Sequence, residues 1–261
     1  MRPAPDRLPD GRPLPTGGGR SLPPTPKYAG DDGGTDPGLA AALSEPDGGA
    51  RLRAVVRALG GARVLVPVVA QLEERADAVG HEINGTDVQI AGEKSASAAM
   101  VTVATPDGRA AIPVFSGLAA LTAWRADARP IPAEGVRAAL SAAADADGLL
   151  VLDPAGPVPV LVPRPAVWAI GQQREWVPAV EDPEVTQAIR AALDPVPGVV
   201  DSRVEPGERA EVRVVLGLRP GLDRAGLDEL LRRASAALAA QEIVAERVDS
   251  LEVRVVSATS A

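Results

Sequence analysis

The sequence contains no cysteine and a single histidine, His81, among its 261 residues. The lack of cysteine excludes disulfides, thiolate nucleophiles and cysteine-ligated zinc or iron–sulfur sites. One histidine excludes a histidine cluster for a metal within one chain. Carboxylates are the only ligands left, and they suit Mg²⁺ or Ca²⁺. We expect neither a cofactor nor a resident metal.

Aromatic residues make up only 2% of the chain, although 46% of its residues are hydrophobic. The core must therefore be built from Ala, Val and Leu. In such a chain a large aromatic side chain either packs in the core or marks a protein interface. The candidates for an interface role are Phe115, Trp124 and Trp168.

Long hydrophobic runs are also missing. The most apolar run, residues 62–70, is too short to span a bilayer, and the start of the chain carries prolines and aspartates in place of an apolar leader. The formal net charge is −8, which repels phosphate backbones and anionic membrane surfaces. We expect a cytoplasmic protein that binds neither nucleic acid nor membranes.

Composition predicts three regions. Residues 1–36 are rich in Pro, Gly, Asp and Arg, which predicts a disordered arm. Residues 37–174 read as an α/β domain with a mixed sheet and flanking helices. Residues 175–261 read as a smaller domain of the same class.

A β-hairpin is the best-defined element of the first domain. Two β-like runs, 100–104 and 111–115, flank a turn made by Pro106-Asp107-Gly108-Arg109. Strands are further expected at 63–69, where an apolar run predicts a buried strand, and at 149–152. Helices are predicted at 50–59, 118–124, 133–146 and 163–172, and another begins at Pro37 with Asp36 as its N-cap.

The second domain alternates strand and helix patterns. Strands are predicted at 176–179, 198–204, 211–216 and 251–255, and helices at 183–193 and 223–240. The order β-α-β-β-α-β predicts a ferredoxin-like unit whose helices cover one side of the sheet. The other side is then free to pack on the first domain or on a second copy. The overall fold class is therefore α/β, or more broadly α+β.

Candidate chemistry is sparse. The polar segment 71–97 reads as a long loop that includes His81, and a loop histidine is more simply a solvated side chain than a base. Asp145, Asp147 and Asp153 could hold Mg²⁺, but aspartates beside glycines and prolines are more simply turn formers. Ser116 lies at a strand-to-helix turn, where capping the helix is its expected role.

Several of these runs together resemble the family named after the enhanced serine sensitivity protein SseB, in its actinobacterial form. That resemblance implies an N-terminal α/β domain and a smaller C-terminal domain, and it implies no activity. The runs that carry it are 65–68, 93–95, 100–103, 106–109, 112–116, 118–124, 128–130 and 149–156.

We therefore expect a non-catalytic interaction or adaptor protein that works through a protein partner or as a homo-oligomer. The alternative is a regulatory protein that senses a small ligand such as an amino acid, because ferredoxin-like units often pair to hold such ligands. A carboxylate-dependent enzyme comes third.

Overall fold

The structure is a computed structural model that describes residues 27–46, 48–69 and 101–258. The chain divides into two units, Met1–Asp32 and Gly33–Ala261. Every helix and strand among the described residues lies in the second unit. The predicted loop 71–97 with His81, and residues 1–26 of the predicted arm, lie outside the described residues.

Two helices open the second unit, α1 (Pro37–Leu43) and α2 (Gly48–Leu59). The predicted cap of α1 is confirmed, because Oδ1 of Asp36 accepts the backbone N–H groups of Gly38 at 2.9 Å and Leu39 at 3.2 Å. Capping of this kind satisfies donors that the first helical turn leaves free. The carbonyl of Gly33, within the predicted arm, accepts the backbone N–H of Leu118 at 2.7 Å.

A four-stranded mixed sheet forms the centre of the fold, and its strands lie in the order β2 (Val103–Ala104), β3 (Ala110–Val114), β5 (Leu149–Leu152) and β6 (Val160–Val162). The predicted hairpin is confirmed: β2 pairs antiparallel with β3 across the Pro106–Arg109 turn, where Gly108 has φ +84°. The neighbouring strands β3 and β5 run parallel.

Three helices accompany these strands, α3 (Leu118–Trp124), α4 (Gly135–Asp145) and α5 (Arg164–Gly171). The faces of α4 and α5 that carry Ala139 and Val167 pack with α1, α2 and the sheet in one apolar cluster. A second cluster surrounds Phe115 and Trp124. Alanine and valine dominate the first cluster, as the scarcity of aromatic residues predicts.

The run predicted as a buried strand forms β1 (Arg63–Val68), but it lies outside the central sheet. It pairs antiparallel with β4 (Arg129–Glu134) as a separate two-stranded sheet. A single bridge between Leu65 and Phe115 connects it to the end of β3. Strand β4 was not predicted from the sequence because it contains Pro130 and Pro132, and proline is tolerated only where a strand needs no N–H at that position.

The rest of the chain folds as α6 (Pro183–Leu193), β7 (Val199–Pro206), β8 (Val212–Leu218), α7 (Arg224–Ala239), α8 (Glu242–Arg247) and β9 (Leu251–Ser257). Strands β7, β8 and β9 form a three-stranded sheet in that order, the third sheet of the fold. The strand expected at 176–179 is absent, and a 3₁₀ helix, Ala179–Glu181, begins there instead. Strands β8 and β9 are parallel and directly adjacent, so this unit departs from the full β-α-β-β-α-β order.

The α+β class is confirmed by helices and by mixed and antiparallel sheets. One apolar cluster from the 3₁₀ helix to β9 joins α6, α7, α8 and one face of the third sheet. The domain boundary between residues 174 and 175 stays a prediction. No helix in the described part of the chain is long and apolar enough to cross a membrane.

Candidate interaction surface

Two of the three predicted interface residues are buried. Phe115 is 0% exposed and Trp124 is 6% exposed. Their rings pack against each other with centroids 5.2 Å apart and planes tilted by 39°. Such a pair stabilises the core around it. A partner cannot reach either ring in this conformation.

Trp168, the third candidate, is 49% exposed. It lies on α5, whose buried residues are Ala166, Val167 and Ile170. With 3.6 residues per turn, the position after Val167 is rotated by about 100° from the core. The indole is thus held on a packed helix and faces solvent on one side.

Trp168 lines an open groove of about 610 Å³ between α5 and α8. Apolar side chains from the linker after α5 continue the groove, including Trp176, which is partly buried, and Val177, which is 50% exposed. Large amphipathic side chains grouped in this way are typical of protein interfaces.

Arginines fix the wall of this groove on the α8 side. The Arg164 guanidinium donates to the carbonyls of Ala245 at 2.8 Å and Val248 at 3.2 Å, at the C-terminal end of α8. A cation there also opposes the negative end of the helix dipole. Arg247 donates from Nη1 to Asp182 at 3.0 Å and to Glu184 at 2.8 Å. These contacts connect α8 to α5 and to the start of α6.

A second groove, of about 560 Å³, lies where the hairpin turn meets the third sheet. Arg109 from the turn forms a two-pronged ion pair with Asp249, with Nη1–Oδ1 and Nη2–Oδ2 distances of 2.9 and 2.7 Å. Arg109 also donates to Asp107 at 2.6 Å. The Asp249 side chain is only 3% exposed. The predicted hairpin therefore supplies the charge that balances a buried carboxylate after α8.

Glu211 lies in the same groove and is only partly satisfied. Its Oε2 accepts the backbone N–H of Asp249 at 2.7 Å. Its Oε1 is buried without a hydrogen-bond partner among the described residues. Burial raises the pKa of the Glu211 carboxyl, since removal from water disfavours the charged form.

The Ser116 turn has a structural role. Gly117 occupies the N-cap position of α3, so the expectation that Ser116 caps this helix is wrong. The backbone N–H of Ser116 instead donates to Oδ1 of Asp153 at 2.8 Å. This bond links the adjacent carboxyl ends of the parallel strands β3 and β5, and it holds Asp153 at φ +50°.

The aspartates considered for Mg²⁺ are used separately. Oδ2 of Asp147 accepts the backbone N–H of Ala110 at 2.7 Å, while Asp153 accepts from Ser116. No group of three or more His, Asp or Glu side chains suited to a metal ion occurs within residues 27–46, 48–69 and 101–258.

Trp168 was predicted as an interface residue from the sequence, whereas the residues around it in the groove were not. Val177 was placed in a predicted strand, and Arg164 and Arg247 had no motif to mark them. Arg109 stood in the recognised turn, yet its partner Asp249 lies 140 positions along the chain. Only the fold brings such pairs together.

Comparison with known proteins agrees with the sequence resemblance. The model of the SseB protein N-terminal domain matches residues 39–169, which is half of the chain. The chain belongs to the SseB family. Neither the curated proteins nor the solved structures gave a match. The SseB match covers α5 as far as Ala169, so it includes Trp168, and it ends before the linker and α8 that complete the groove.

Proposed function

We propose that this SseB-family chain is a non-catalytic interaction protein of the cytoplasm and that the groove between α5 and α8 binds a protein partner. The half-exposed indole of Trp168 is the observation that carries the proposal. Of the three predicted interface residues, Trp168 is the one that a partner can reach, because Phe115 and Trp124 are buried in the core.

The physics of the groove supports a protein ligand. Covering the free half of Trp168 together with Val177 removes apolar surface from water, which gives the main driving force for association. Arg164 and Arg247 are already held by hydrogen bonds, so binding costs them little side-chain entropy. A partner that presents an apolar or aromatic side chain to the indole fits this arrangement.

Site-specific photo-crosslinking in the native cell tests the proposal. A photoreactive residue replaces Gln172, which lines the groove, and a matched one replaces Asp228, an exposed residue of α7. We expect one defined adduct from position 172, none at position 228, and loss of that adduct in Trp168→Ala. Identical adducts at both positions, or an adduct that Trp168→Ala leaves unchanged, would contradict the proposal.

A small-ligand sensor is the second candidate function. Its support is the groove beside Arg109, where the acidic side chains of Glu208 and Glu211 line a space that suits a ligand with an ammonium group. A thermal-shift screen of the full chain against amino acids and nucleotides distinguishes the two functions. A saturable rise in melting temperature that Glu211→Gln abolishes favours the sensor, and a flat screen argues against it.

A further inference from the structure

Strand β9 forms one edge of the third sheet, since its only strand partner among the described residues is β8. Two bonds show which way its peptide groups point. The N–H of Val212 donates to the carbonyl of Ser250, and the N–H of Ala258 donates to the carbonyl of Leu218. Successive residues of a strand point to alternate sides, so the even-numbered residues of β9 face β8.

The outward peptide groups are therefore those of Leu251, Val253, Val255 and Ser257. Within the described part of the chain, no backbone hydrogen bond reaches them. Their side chains continue the apolar face that packs on the helices, and Val255 is 38% exposed at its margin. An edge of this kind is a template for another strand.

The sequence of β9 is complementary to itself. In an antiparallel pair centred on Val253, Leu251 lies opposite Val255 and Glu252 lies opposite Arg254 of the other copy. The outward residues 251, 253 and 255 then form the hydrogen-bonded positions, and the Glu–Arg pairs occupy the closer, non-hydrogen-bonded positions.

Neighbouring registers are worse. A pair centred on Glu252 or on Arg254 places like charges directly opposite each other, which destabilises a ladder. A pair centred on Val255 places Arg254 opposite Val256 and leaves the charge without a partner. The charge pattern thus selects one register, and a two-fold axis at Val253 satisfies it in both copies.

We propose that β9 is a self-association edge, through which two copies of this chain join their third sheets into one continuous six-stranded sheet. The partner is a second copy. This proposal does not depend on the Trp168 groove, because the two surfaces share no residue.

The opposite edge of the sheet is protected. Strand β7 carries an irregularity between Val199 and Asp201 and ends at Pro206, which lacks an N–H. Its outward residue Ser202 is buried, at 5% exposure. Bulges, prolines and covered positions are the devices by which proteins prevent edge pairing. Strand β9 has none of them, so association is directed to one edge.

Sedimentation velocity on the purified full chain tests the proposal. From about 1 µM to about 100 µM, a range in which ordinary homodimers form, the wild-type chain is expected to shift from monomer to dimer. Arg254→Glu should weaken the dimer at least tenfold, because it places Glu252 opposite a second glutamate. Arg203→Glu is the matched control, with the same charge reversal on β7 and no expected change. A monomeric wild type, a dimeric Arg254→Glu or a dissociated Arg203→Glu would overturn the proposal.

Charge complementation adds a readout that a folding defect cannot imitate. Arg254→Glu mixed with Glu252→Arg should restore a mixed dimer, since each Glu then faces an Arg of the other chain. Glu252 also accepts from Arg213 at 2.7 Å and from the backbone N–H groups of Glu208 at 2.9 Å and Arg209 at 3.3 Å, so circular dichroism first verifies that Glu252→Arg is folded. If it is not, Val253→Pro replaces it: this change removes an outward N–H and none of the N–H groups that face β8, so a monomer that circular dichroism shows to be folded supports the proposal. Failure of the folded pair to combine, or a dimeric Val253→Pro, would contradict it.

Discussion

The central sheet and the third sheet bury their strands to different extents. In the central sheet, both inner strands are buried on almost every residue, as the patterns of β3 and β5 show. In the third sheet only the middle strand β8 is buried throughout, while β7 and β9 are mainly intermediate or exposed. The inner strands of the central sheet thus form a closed core, whereas the third sheet leaves surface for contacts.

Charged side chains follow the same division. Around the central sheet, Asp147 and Asp153 accept backbone N–H groups and so fix turns. On the third sheet, Arg213 bonds Glu252 at 2.7 Å and Glu208 at 3.1 Å across neighbouring segments. The comparison teaches that these two aspartates fix the turns beside the closed central strands. On the third sheet, the ion pairs of Arg213 keep one face polar.

The largest expected effect comes from the closed core. Phe115→Ala removes a fully buried ring and leaves a cavity beside Trp124, so the free energy of unfolding should fall by about 3–5 kcal/mol. Trp168→Ala removes a half-exposed ring and should cost no more than about 1 kcal/mol. Urea unfolding monitored by circular dichroism measures both. Equal losses for the two variants would show that the two aromatic environments do not differ as described.

The second-largest effect is expected for the ion pair between Arg109 in the hairpin turn and Asp249 next to the third sheet. Arg109→Ala leaves the buried Asp249 carboxylate without its guanidinium, and because Arg109 is partly exposed we expect a loss of about 2 kcal/mol. Arg203→Ala is the matched control. Its contact with Asp201 is 3.7 Å long and both side chains are mostly exposed, so the pair contributes little to stability. Urea unfolding of both variants measures the difference, and a loss for Arg109→Ala as small as the control would mean that the link stabilises nothing.

The buried carboxyl of Glu211 should make the stability of the protein depend on pH. Burial raises the folded-state pKa of Glu211 above its ordinary value of 4.5. At low pH both folded and unfolded states hold the proton. As pH rises toward the folded pKa, the unfolded state loses its proton first, and the wild-type chain loses stability. Glu211→Gln cannot titrate, so its stability relative to wild type should rise between pH 4 and pH 7.

Thermal unfolding at several pH values provides this measurement, with Glu175→Gln as an exposed control. A stability difference between Glu211→Gln and wild type that does not change with pH would show that Glu211 is solvated, contrary to its place in the groove.

The smallest expected effect lies on the surface of α7. Glu229 accepts from Arg232 at 2.7 Å and from Arg233 at 2.6 Å, and hydrogen bonds to these arginines lower the pKa of its carboxyl to about 2. Its stabilising contribution is present above the ordinary pKa and is lost as pH falls toward 2. Carbon NMR titration should find this low pKa, and added salt should raise it. A titration near the ordinary value at low salt would show that the ion pairs do not form in solution.

Much of the fold could be predicted from local patterns. The turn at Pro106–Arg109, the helix Leu118–Trp124 and the helix Pro183–Leu193 follow from turn residues, caps and apolar periodicity. Each of these signals acts over a few neighbouring residues. The prediction failed where pairing with a distant segment decides the outcome. Strand β4 carries two prolines and forms only because β1 lies beside it.

The exposure of the candidate interface residues also depends on contacts between distant segments. The scarcity of aromatic residues pointed to Trp168, Trp124 and Phe115 together, yet composition cannot say which ring faces solvent. That depends on the packing of α5 against α2 and α4. The direct pairing of β9 with β8 was also not predicted, because the β-α-β-β-α-β pattern includes a first strand, and the stretch at 176–179 proved not to be a strand.

Hydrogen–deuterium exchange of the full chain at two protein concentrations tests most directly the claim that the region beyond the SseB match provides an association surface. We expect slower exchange at the higher concentration in Leu251–Ser257, where outward amides become paired, and no change in Val199–Pro206 or in the central sheet. Equal exchange of Leu251–Ser257 at both concentrations, or protection that appears in Val199–Pro206 instead, would contradict the account.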